Sequence, residues 1–446
     1  MTDVKHSVVA ARDGIIERVV SRTPQSKREF ERAKQVLPGG TTRSNLHMKP
    51  YPISIDRAEG ATLTDLDGNQ YIDLGNDYAV AMFGHSNKQI AAAISKQFES
   101  GTSYGARTSH ETRLAEVLID RFPSIEALRF CNSGTEANLY AFLLARAATG
   151  RTTFVMMDGG YHGGALSKAM NDDRFFAPFD VITVPYNDEE ALKALFAEKG
   201  DQIACLAMEL MLNSGGCISA TQSFAKLAET LCAKTGALLL VDEVMTSRLH
   251  PGGLQAHYGV TPDLTTLGKM IGGGFTVGAF GGRADLMAHM DQFKAGAIAH
   301  NGSFNNNVMT MVAGRVAMTD VITPERIATA NQLGDELREK LNALCADYQA
   351  PIRFAGWGSV LALHLGTEPP HQFATPPLSA EIRSLFHAFA LDKGYWIAAR
   401  GMLSLSVETT RNHCDGFADC FKEFLETQGE SLLVARRVLD EQEVAA

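Results

Sequence analysis

From about Gly84 onward, helical stretches alternate with short apolar runs, and no other feature limits the possible folds of this chain as strongly. The apolar runs are residues 128–130, 153–157, 181–184, 203–208, 237–241 and 264–267. Strands that alternate with helices predict an α/β fold, in which a mostly parallel sheet is flanked by helices. Ligands of such sheets bind beyond the carboxyl ends of the strands, so the polar residues that follow each run are the candidates for a functional site.

The two ends of the chain show other patterns. Residues 8–36 have helical spacing up to Pro38-Gly39-Gly40, and residues 53–74 are typical of short strands with a hairpin at Asp67-Gly68-Asn69. From about residue 322 the pattern predicts another set of helices and strands. These are helices at 326–344, at 380–391 and at the end of the chain, and strands at 352–354, at 360–365 and near 404–407.

Neither end resembles a full domain by itself. We therefore expect both ends to form one small α+β domain, with residues 1–75 and residues 326–446 as its two parts. Residues 76–325 would form the large domain with the central sheet.

Composition excludes several classes of function. The 446 residues carry a formal net charge of −10, which argues against a nucleic-acid-binding protein. The seven cysteines include no CxxC pair, so we expect neither a disulfide framework nor a metal site. The N-terminus lacks the apolar core of a signal peptide, and no run reaches about 18 apolar residues. We expect a cytoplasmic protein with no membrane partner.

The first strand end is suited to an anion. Small and hydroxyl residues (Ser133, Gly134 and Thr135) stand between the run 128–130 and a predicted helix. They expose backbone N–H groups at the positive end of the helix, where a phosphate binds well. The alternative is a capping box, in which Ser133 caps the helix and Glu136 reaches back.

Three later strand ends carry an aromatic ring, a carboxylate and an amine. Glycine pairs flank Tyr161, so its ring could lie flat on a planar ligand, or simply be packed in a flexible turn. Asp242 could hold a pyridine nitrogen protonated, or cap a helix or form a surface ion pair. Lys269, ahead of three glycines, could bind an aldehyde once its pKa is depressed, although a solvated lysine before a turn has the same pattern. A phosphate site, a ring, a carboxylate and a lysine together match the needs of pyridoxal 5′-phosphate.

Five segments make the chain resemble the class III, fold type I aminotransferases from about Phe30 to about Phe424. The segments are NSGTEAN (132–138), GGYHG (159–163), DEVMTSR (242–248), TTLGKMIGGG (265–274) and NGSFNNNVMT (301–310). The DEVMT variant, with Pro38-Gly39-Gly40, is more similar to the branch that contains glutamate-1-semialdehyde aminomutase and the β-amino acid aminotransferases than to the ornithine and GABA branch.

The resemblance implies the roles of four residues around the cofactor ring. Lys269 binds the aldehyde of pyridoxal phosphate covalently and moves the proton, and Asp242 pairs with the pyridine nitrogen. Tyr161 stacks on the ring, and Glu209 belongs to the same cofactor site.

The resemblance also implies how the phosphate is held. Ser133, Gly134 and Thr135 bind it from one subunit. The family borrows a further hydroxyl residue, commonly threonine, from the neighbouring subunit, and Ser303 occupies that position here. A homodimer with a shared active site is therefore implied.

The chain departs from the family pattern in one loop. Glu209-Leu210 replaces the usual Glu-Pro, and Leu212-Asn213 replaces a common Gln-Gly, so the loop loses the stiffness of proline and gains apolar side chains. The acidic residue that neutralises a substrate-binding arginine in the ornithine branch would fall at Ser214, so that acid is missing.

Two arginines point to the substrate. In the β-amino acid aminotransferases that the chain resembles, arginines at the places of Arg43 and Arg400 are associated with carboxylate binding. Each could instead form a surface or interdomain ion pair. An apolar pocket for an aryl group, or simply core packing, could use five further residues: Tyr78, Met82, Phe83, Tyr395 and Trp396.

The sequence thus predicts a transaminase that moves the amino group of a β-amino acid, such as 3-amino-3-phenylpropanoate, to 2-oxoglutarate or pyruvate by a ping-pong mechanism. The alternative is an isomerase of the glutamate-1-semialdehyde aminomutase kind. A third interpretation is a cofactor-binding protein without turnover. The intact Lys269 argues against it, because binding alone does not require a chemically competent lysine.

Overall fold

The structure of the chain, a computed structural model, describes residues 2–167 and 173–445. The strands are β1 (Ile55–Glu59), β2 (Thr62–Asp65), β3 (Gln70–Asp73), β4 (Ala127–Cys131), β5 (Thr153–Met157), β6 (Asp180–Val184), β7 (Ile203–Met208), β8 (Met211–Leu212), β9 (Ile218–Ser219), β10 (Leu238–Asp242), β11 (Leu264–Gly268), β12 (Gly278–Gly282), β13 (Ile352–Trp357), β14 (Val360–Leu365), β15 (Tyr395–Trp396) and β16 (Met402–Ser404). The helices are α1 (Thr2–Ser21), α2 (Pro24–Ala33), the single turn α3 (Asn76–Ala79), α4 (Lys88–Phe98), α5 (Ser109–Arg121), α6 (Gly134–Thr149), α7 (Glu189–Lys199), α8 (Gln222–Thr235), α9 (Gly253–Tyr258), α10 (Ala284–Met287), α11 (Val308–Val316), α12 (Pro324–Asp347), α13 (Ser379–Asp392), α14 (Arg411–Thr427) and α15 (Gly429–Ala445).

All six predicted apolar runs are strands of one sheet, so the predicted α/β fold is confirmed. The seven strands have the order β4-β12-β11-β10-β7-β5-β6. Strands β11, β10, β7, β5 and β6 are parallel to one another, and β12 runs antiparallel to both of its neighbours. The carboxyl ends of the six predicted strands therefore lie along the same edge of the sheet.

The sequence does not predict β12, the antiparallel member. Three of its five residues are glycine, which is depleted in strands and hides the pattern. A Cβ atom at Gly278 would collide with the carbonyl oxygen of Ser133. Glycine at this position therefore lets β12 lie directly against the turn that precedes α6.

Helix α6 is fixed on the sheet by its apolar face, which positions its N-terminus at the strand ends. Phe142 of α6 and Phe154 of β5 are fully buried, with ring centroids 5.1 Å apart. Burial of each such side chain stabilises the fold by about 1.5–3 kcal/mol.

The two ends of the chain pack against each other. Val8 and Ile15 of α1 share one apolar core with Ile382 and Phe386 of α13. Strand β15 also pairs in parallel with β3, so the N-terminal sheet includes a C-terminal strand. The domain limits after residues 75 and 325 stay predictions.

Three local predictions need correction. The helical segment 8–36 is two helices, because Pro24 has no N–H group to donate and starts α2 at its first turn. The strand near 404–407 is β16, two residues earlier, and the final helix is divided into α14 and α15 around Gln428. The hairpin at Asp67-Gly68-Asn69 is present between β2 and β3.

None of the helices within the described residues is both long and apolar enough to cross a membrane. The seven cysteines are buried and form no disulfide.

Candidate active site

The strand ends bring most of the predicted site residues together. Glu209 follows β7, Asp242 ends β10, and Lys269 follows β11. In the register of β10 with β11, Asp242 is paired with Thr266, so Lys269 lies three residues beyond it along the adjacent strand.

Lys269 has an unusual backbone and an unusual environment. Its φ of 52° lies in the left-handed region, which is strained for a residue with a Cβ and is often found at functional sites. The side chain is half-buried and makes no hydrogen bond or ion pair with any of the described residues. Burial lowers the pKa of the amine, although the charges of Asp242 and Glu209 oppose the shift. The site therefore favours a neutral, nucleophilic amine.

Asp242 is held by three donors at the end of β10. Its Oδ2 atom accepts from Asn138 Nδ2 at 2.8 Å and is hydrogen-bonded to His162 Nδ1 at 2.9 Å. Its Oδ1 atom accepts from the Val244 amide at 2.9 Å and keeps a lone pair for another donor. Thr266 donates to Asn138 at 2.8 Å, so α6, β10 and β11 fix the carboxylate jointly.

His162 is the partner that sequence reasoning leaves without a role. Burial by itself would lower the pKa of its imidazole, but the hydrogen bond and charge of Asp242 raise it overall. Its Nε2 atom is buried and has no partner within the part of the chain that the structure describes. A cationic His162 would place a positive charge against the carboxylate that a pyridinium N–H would approach.

Glu209 joins two loops of the site. Its carboxylate accepts from the amide of Tyr161 at 2.8 Å and from the amide of Asn213 at 3.0 Å. Burial, reinforced by the charge of Asp242, raises the pKa of Glu209 to about 7. Glu209 therefore holds the backbone of Tyr161 in a fixed position relative to the loop that contains Asn213. The Tyr161 side chain is half-buried, and this burial raises its pKa.

The predicted anion site is the N-terminus of α6. Ser133 Oγ caps the helix by accepting from the Glu136 amide at 3.1 Å. Glu136 accepts instead from the Asn132 amide at 2.8 Å, so the reciprocal half of the expected capping box does not form. The amides of Gly134 and Thr135 belong to the first turn, where no intrahelical acceptor exists, and point out of the helix.

A glycine brings the Tyr161 loop to this helix end. Gly163 has a φ of 116°, and a Cβ atom there would collide with the side chain of Thr135. Only glycine allows both the conformation and the close approach.

Ser303 is in a turn and does not stand at the end of a sheet strand. It is exposed in the segment that precedes α11. The nearby Asn305 accepts from Asn132 Nδ2 at 2.9 Å, which connects this segment to the turn before α6.

The two candidate arginines lie beside one aromatic ring. The guanidinium carbons of Arg43 and Arg400 lie 5.4 Å and 5.3 Å from the centroid of the Tyr78 ring. Arg400 donates to Ser214 Oγ at 3.1 Å and to Asn213 Oδ1 at 3.0 Å. Ser214 stands where the ornithine branch has its acidic residue, so both of these side-chain partners of Arg400 are neutral. Arg43 donates to Asp77 at 2.6 Å and is therefore in an ion pair.

The ring is presented by α3, which is a left-handed turn. Its four residues have φ values of 47°, 47°, 54° and 74°, and none is glycine. Asp73 Oδ1 accepts from the amides of Gly75 and Asn76, both at 2.8 Å, and the buried Arg248 donates to the carbonyl of Ala79. These bonds hold a backbone that the residues would not adopt by themselves.

The other four candidates pack mainly against core residues, although Trp396 also lines the same cavity as Arg43. Trp396 packs edge-on against Tyr71, and Tyr395 packs against Phe417. Met82 is fully buried. Of the five candidates for an aryl pocket, Tyr78 is the one whose ring lies against the guanidinium groups of Arg43 and Arg400 in the part of the chain that the structure describes.

Sequence reasoning missed His162, Asn138 and Asp77. His162 and Asn138 lie inside the motifs GGYHG and NSGTEAN, so their polar side chains, next to residues with assigned roles, could have marked them as site residues. Asp77 had none, because its contact with Arg43 spans 34 positions.

The fold and the site define a pyridoxal-phosphate-dependent enzyme, and comparison with known proteins identifies its family. The chain matches the class III aminotransferases over residues 44–423. It is 39% identical to the β-phenylalanine transaminase of Variovorax paradoxus, over 93% of this chain and 96% of the relative. The crystal structure of a β-phenylalanine aminotransferase from that organism superposes with a TM-score of 0.92 at 38% identity, over 95% of this chain and 98% of that one. A glutamate-1-semialdehyde 2,1-aminomutase from Rhodopirellula baltica is 36% identical over 78% of this chain and 82% of its own length.

The chain belongs to the class III aminotransferases, and its cofactor is pyridoxal 5′-phosphate. A transaminase solved with this cofactor bound has a TM-score of 0.84 at 28% identity, covering 93% of this chain and 99% of that one. The residues fit the group: the amine of Lys269 has no hydrogen-bond or ion-pair partner among residues 2–167 and 173–445, Asp242 Oδ1 can accept a further donor, and two first-turn amides of α6 face outward.

Proposed function

We propose that the protein is a β-amino acid transaminase that transfers the amino group of a substrate such as 3-amino-3-phenylpropanoate to 2-oxoglutarate or pyruvate. The observation that supports this most directly is the pair Arg43 and Arg400 beside the Tyr78 ring. The similarity to β-phenylalanine transaminase over 93% of the chain adds support.

Two arginines suit this substrate pair for a geometric reason. A β-amino acid has its carboxylate one carbon farther from the amine than an α-amino acid, so carboxylate and side chain exchange places between donor and acceptor. A guanidinium binds a carboxylate through two parallel N–H donors, which makes each arginine a candidate for one of the two positions. Tyr78, which lies beside both arginines, offers an aryl group an aromatic surface.

The residues around the cofactor have the following proposed roles. Pyridoxal phosphate, when bound, supplies an aldehyde for the amino group and a ring that accepts electrons from the carbon that loses its proton. Lys269 binds the aldehyde and later moves the proton at Nζ, which its lowered pKa favours. Asp242, supported by His162, keeps the pyridine nitrogen protonated.

The remaining cofactor contacts are with the ring face and the phosphate. Tyr161 stacks on the ring in the position that Glu209 fixes. Ser133, Gly134 and Thr135 bind the phosphate at the start of α6.

We also infer that the active enzyme is a homodimer. The exposed Ser303 would then contribute its hydroxyl to the phosphate site of the neighbouring subunit. Sedimentation of the wild type and of Ser303→Ala, with cofactor affinity for each, tests both parts. A monomeric active enzyme would contradict the proposal.

The second candidate is an aminomutase that moves an amine within one molecule. The 36% identity to a glutamate-1-semialdehyde aminomutase favours it. The experiment incubates the purified enzyme with 3-amino-3-phenylpropanoate and 2-oxoglutarate and measures glutamate, with Lys269→Ala as the control. Glutamate formation supports the transaminase. Isomerisation of the semialdehyde without an acceptor, and no glutamate, would support the aminomutase; cofactor binding with neither reaction would support a protein without turnover.

A further inference from the structure

The two arginines beside Tyr78 differ in the charge of their partners. Arg400 is hydrogen-bonded to the neutral side chains of Ser214 and Asn213. Arg43 is paired with a carboxylate, because its Nη1 atom lies 2.6 Å from Asp77 Oδ1. A substrate carboxylate can therefore reach Arg400 without displacing an anion, whereas at Arg43 it must compete with one.

The carboxylate of Asp77 is placed by the fold. Asp77 is the second residue of the left-handed turn α3. The first residue of the turn, Asn76, donates through its side chain to the carbonyl of Ser404. Asp73 and Arg248 bind the two ends of the same turn. A non-glycine turn of this hand forms only when its surroundings enforce it, so the position of Asp77 is built into the domain.

The pair can also open. The side chains of Arg43 and Asp77 are 44% and 47% exposed, and both line a cavity of about 480 Å³. The cavity extends to the apolar side chains of Met48, Ile53 and Trp396. Either member of the pair therefore has room to move aside when another carboxylate arrives.

We propose that Asp77 is a specificity-determining residue that neutralises Arg43 until a second substrate carboxylate displaces it. This inference rests on the proposed function, since it assigns Arg43 to the substrate site. A ligand with one carboxylate binds at Arg400 and leaves the Arg43–Asp77 pair closed beside its apolar part. A ligand with two carboxylates must open the pair, so Asp77 weakens the binding of dicarboxylates.

The test measures binding of unreactive acids to the purified, cofactor-loaded enzyme by calorimetry. Glutarate represents a dicarboxylate, and butyrate is the monocarboxylate obtained when one carboxylate of glutarate is replaced by hydrogen. In Asp77→Asn, glutarate should bind about fivefold more tightly, the factor that corresponds to an exposed ion pair at the upper end of its range. Butyrate binding should change by less than about twofold.

Two controls isolate the pair. Asp285→Asn removes a carboxylate from another exposed arginine pair, with Arg283, and should leave both affinities unchanged. In an Arg43→Ala background, Asp77→Asn should no longer affect glutarate, because the coupling requires both residues. Equal or weaker glutarate binding in Asp77→Asn, or the same change in the Arg43→Ala background, would overturn the proposal.

Because these ligands do not react, the outcome is separate from the proposed function. Loss of the Asp77 effect in an enzyme that transaminates 3-amino-3-phenylpropanoate would refute only the inference. A clear Asp77 effect in an enzyme that does not transaminate it would refute only the substrate assignment.

Discussion

Replacement of Asp73 by alanine should loosen the substrate site while the large domain stays folded. Asp73 is buried at the end of β3, and its Oδ1 atom accepts from the amides of Gly75 and Asn76, both at 2.8 Å. Its Oδ2 atom is hydrogen-bonded to His85 Nε2 at 2.7 Å. Alanine removes all three bonds and leaves the left-handed turn α3 without its N-terminal anchor.

The magnitude follows from two opposing terms. Four non-glycine residues in the left-handed region cost about 4–8 kcal/mol, at about 1–2 kcal/mol each. Two hydrogen bonds from amides to a carboxylate contribute about 3–6 kcal/mol. Because the terms are of similar size, loss of the anchor should let the turn relax locally. A loss of about 3 kcal/mol corresponds to roughly 10²-fold faster amide exchange in the turn.

Hydrogen exchange measured by mass spectrometry on a peptide that covers residues 72–80 checks this. The KM for 3-amino-3-phenylpropanoate should rise roughly tenfold, since Tyr78 loses its position, with a smaller change in kcat. Asp65→Ala is the matched control, because Asp65 Oδ1 also accepts two backbone amides, those of Asp67 and Asn69, in a hairpin outside the site. Unchanged exchange at 72–80, or an equal rise in KM for Asp65→Ala, would refute the reasoning.

Three further predictions concern the cofactor residues. Lys269→Ala should keep the fold but lower kcat by at least about 10³-fold, and borohydride should no longer fix the cofactor to the chain; retained turnover would contradict the assignment. Asp242→Asn should bind the cofactor yet slow proton abstraction about 10²-fold or more, measured in single-turnover experiments as loss of the proton on the amine-bearing carbon of the substrate, and near-normal rates would count against its role. Glu209 has a folded-state pKa of about 7, above its unfolded value, so the cofactor-free wild type should lose stability as pH rises from about 4.5 to about 7. Glu209→Gln removes that loss, so its unfolding free energy relative to wild type should improve by on the order of 2–3 kcal/mol between about pH 5 and about pH 8 in urea titrations; a difference independent of pH would show that the carboxyl does not titrate as inferred.

Local sequence patterns predicted much of the fold because they report burial directly. The six apolar runs are strands because each is short, apolar and bounded by polar or small residues. Strand β12 was not predicted because its glycines give no apolar pattern. Its position is set by close contact with the turn at Ser133. The chemistry of proline could have predicted the break between α1 and α2 before Pro24, but the helical spacing continues on both sides of it.

Motif reasoning selected the residues proposed to hold the cofactor but could not supply their partners. Lys269, Asp242 and Ser133 each stand at a strand end, so position along the chain was enough to select them. Whether Asp242 would have a histidine, an amide or water beside it depended on how α6 and the Tyr161 loop approach β10.

The sequence alone determined the class of fold, the family and the residues proposed to lie next to the cofactor, because those depend on alternation of apolar runs and on the residue at each strand end. Only the tertiary structure decided which charges meet at the substrate side. Arg43 and Asp77 are 34 positions apart, and Arg400 lies 186 positions from Ser214. Contacts at such separations are set by tertiary packing and by a turn whose left-handed backbone is disfavoured by its own residues.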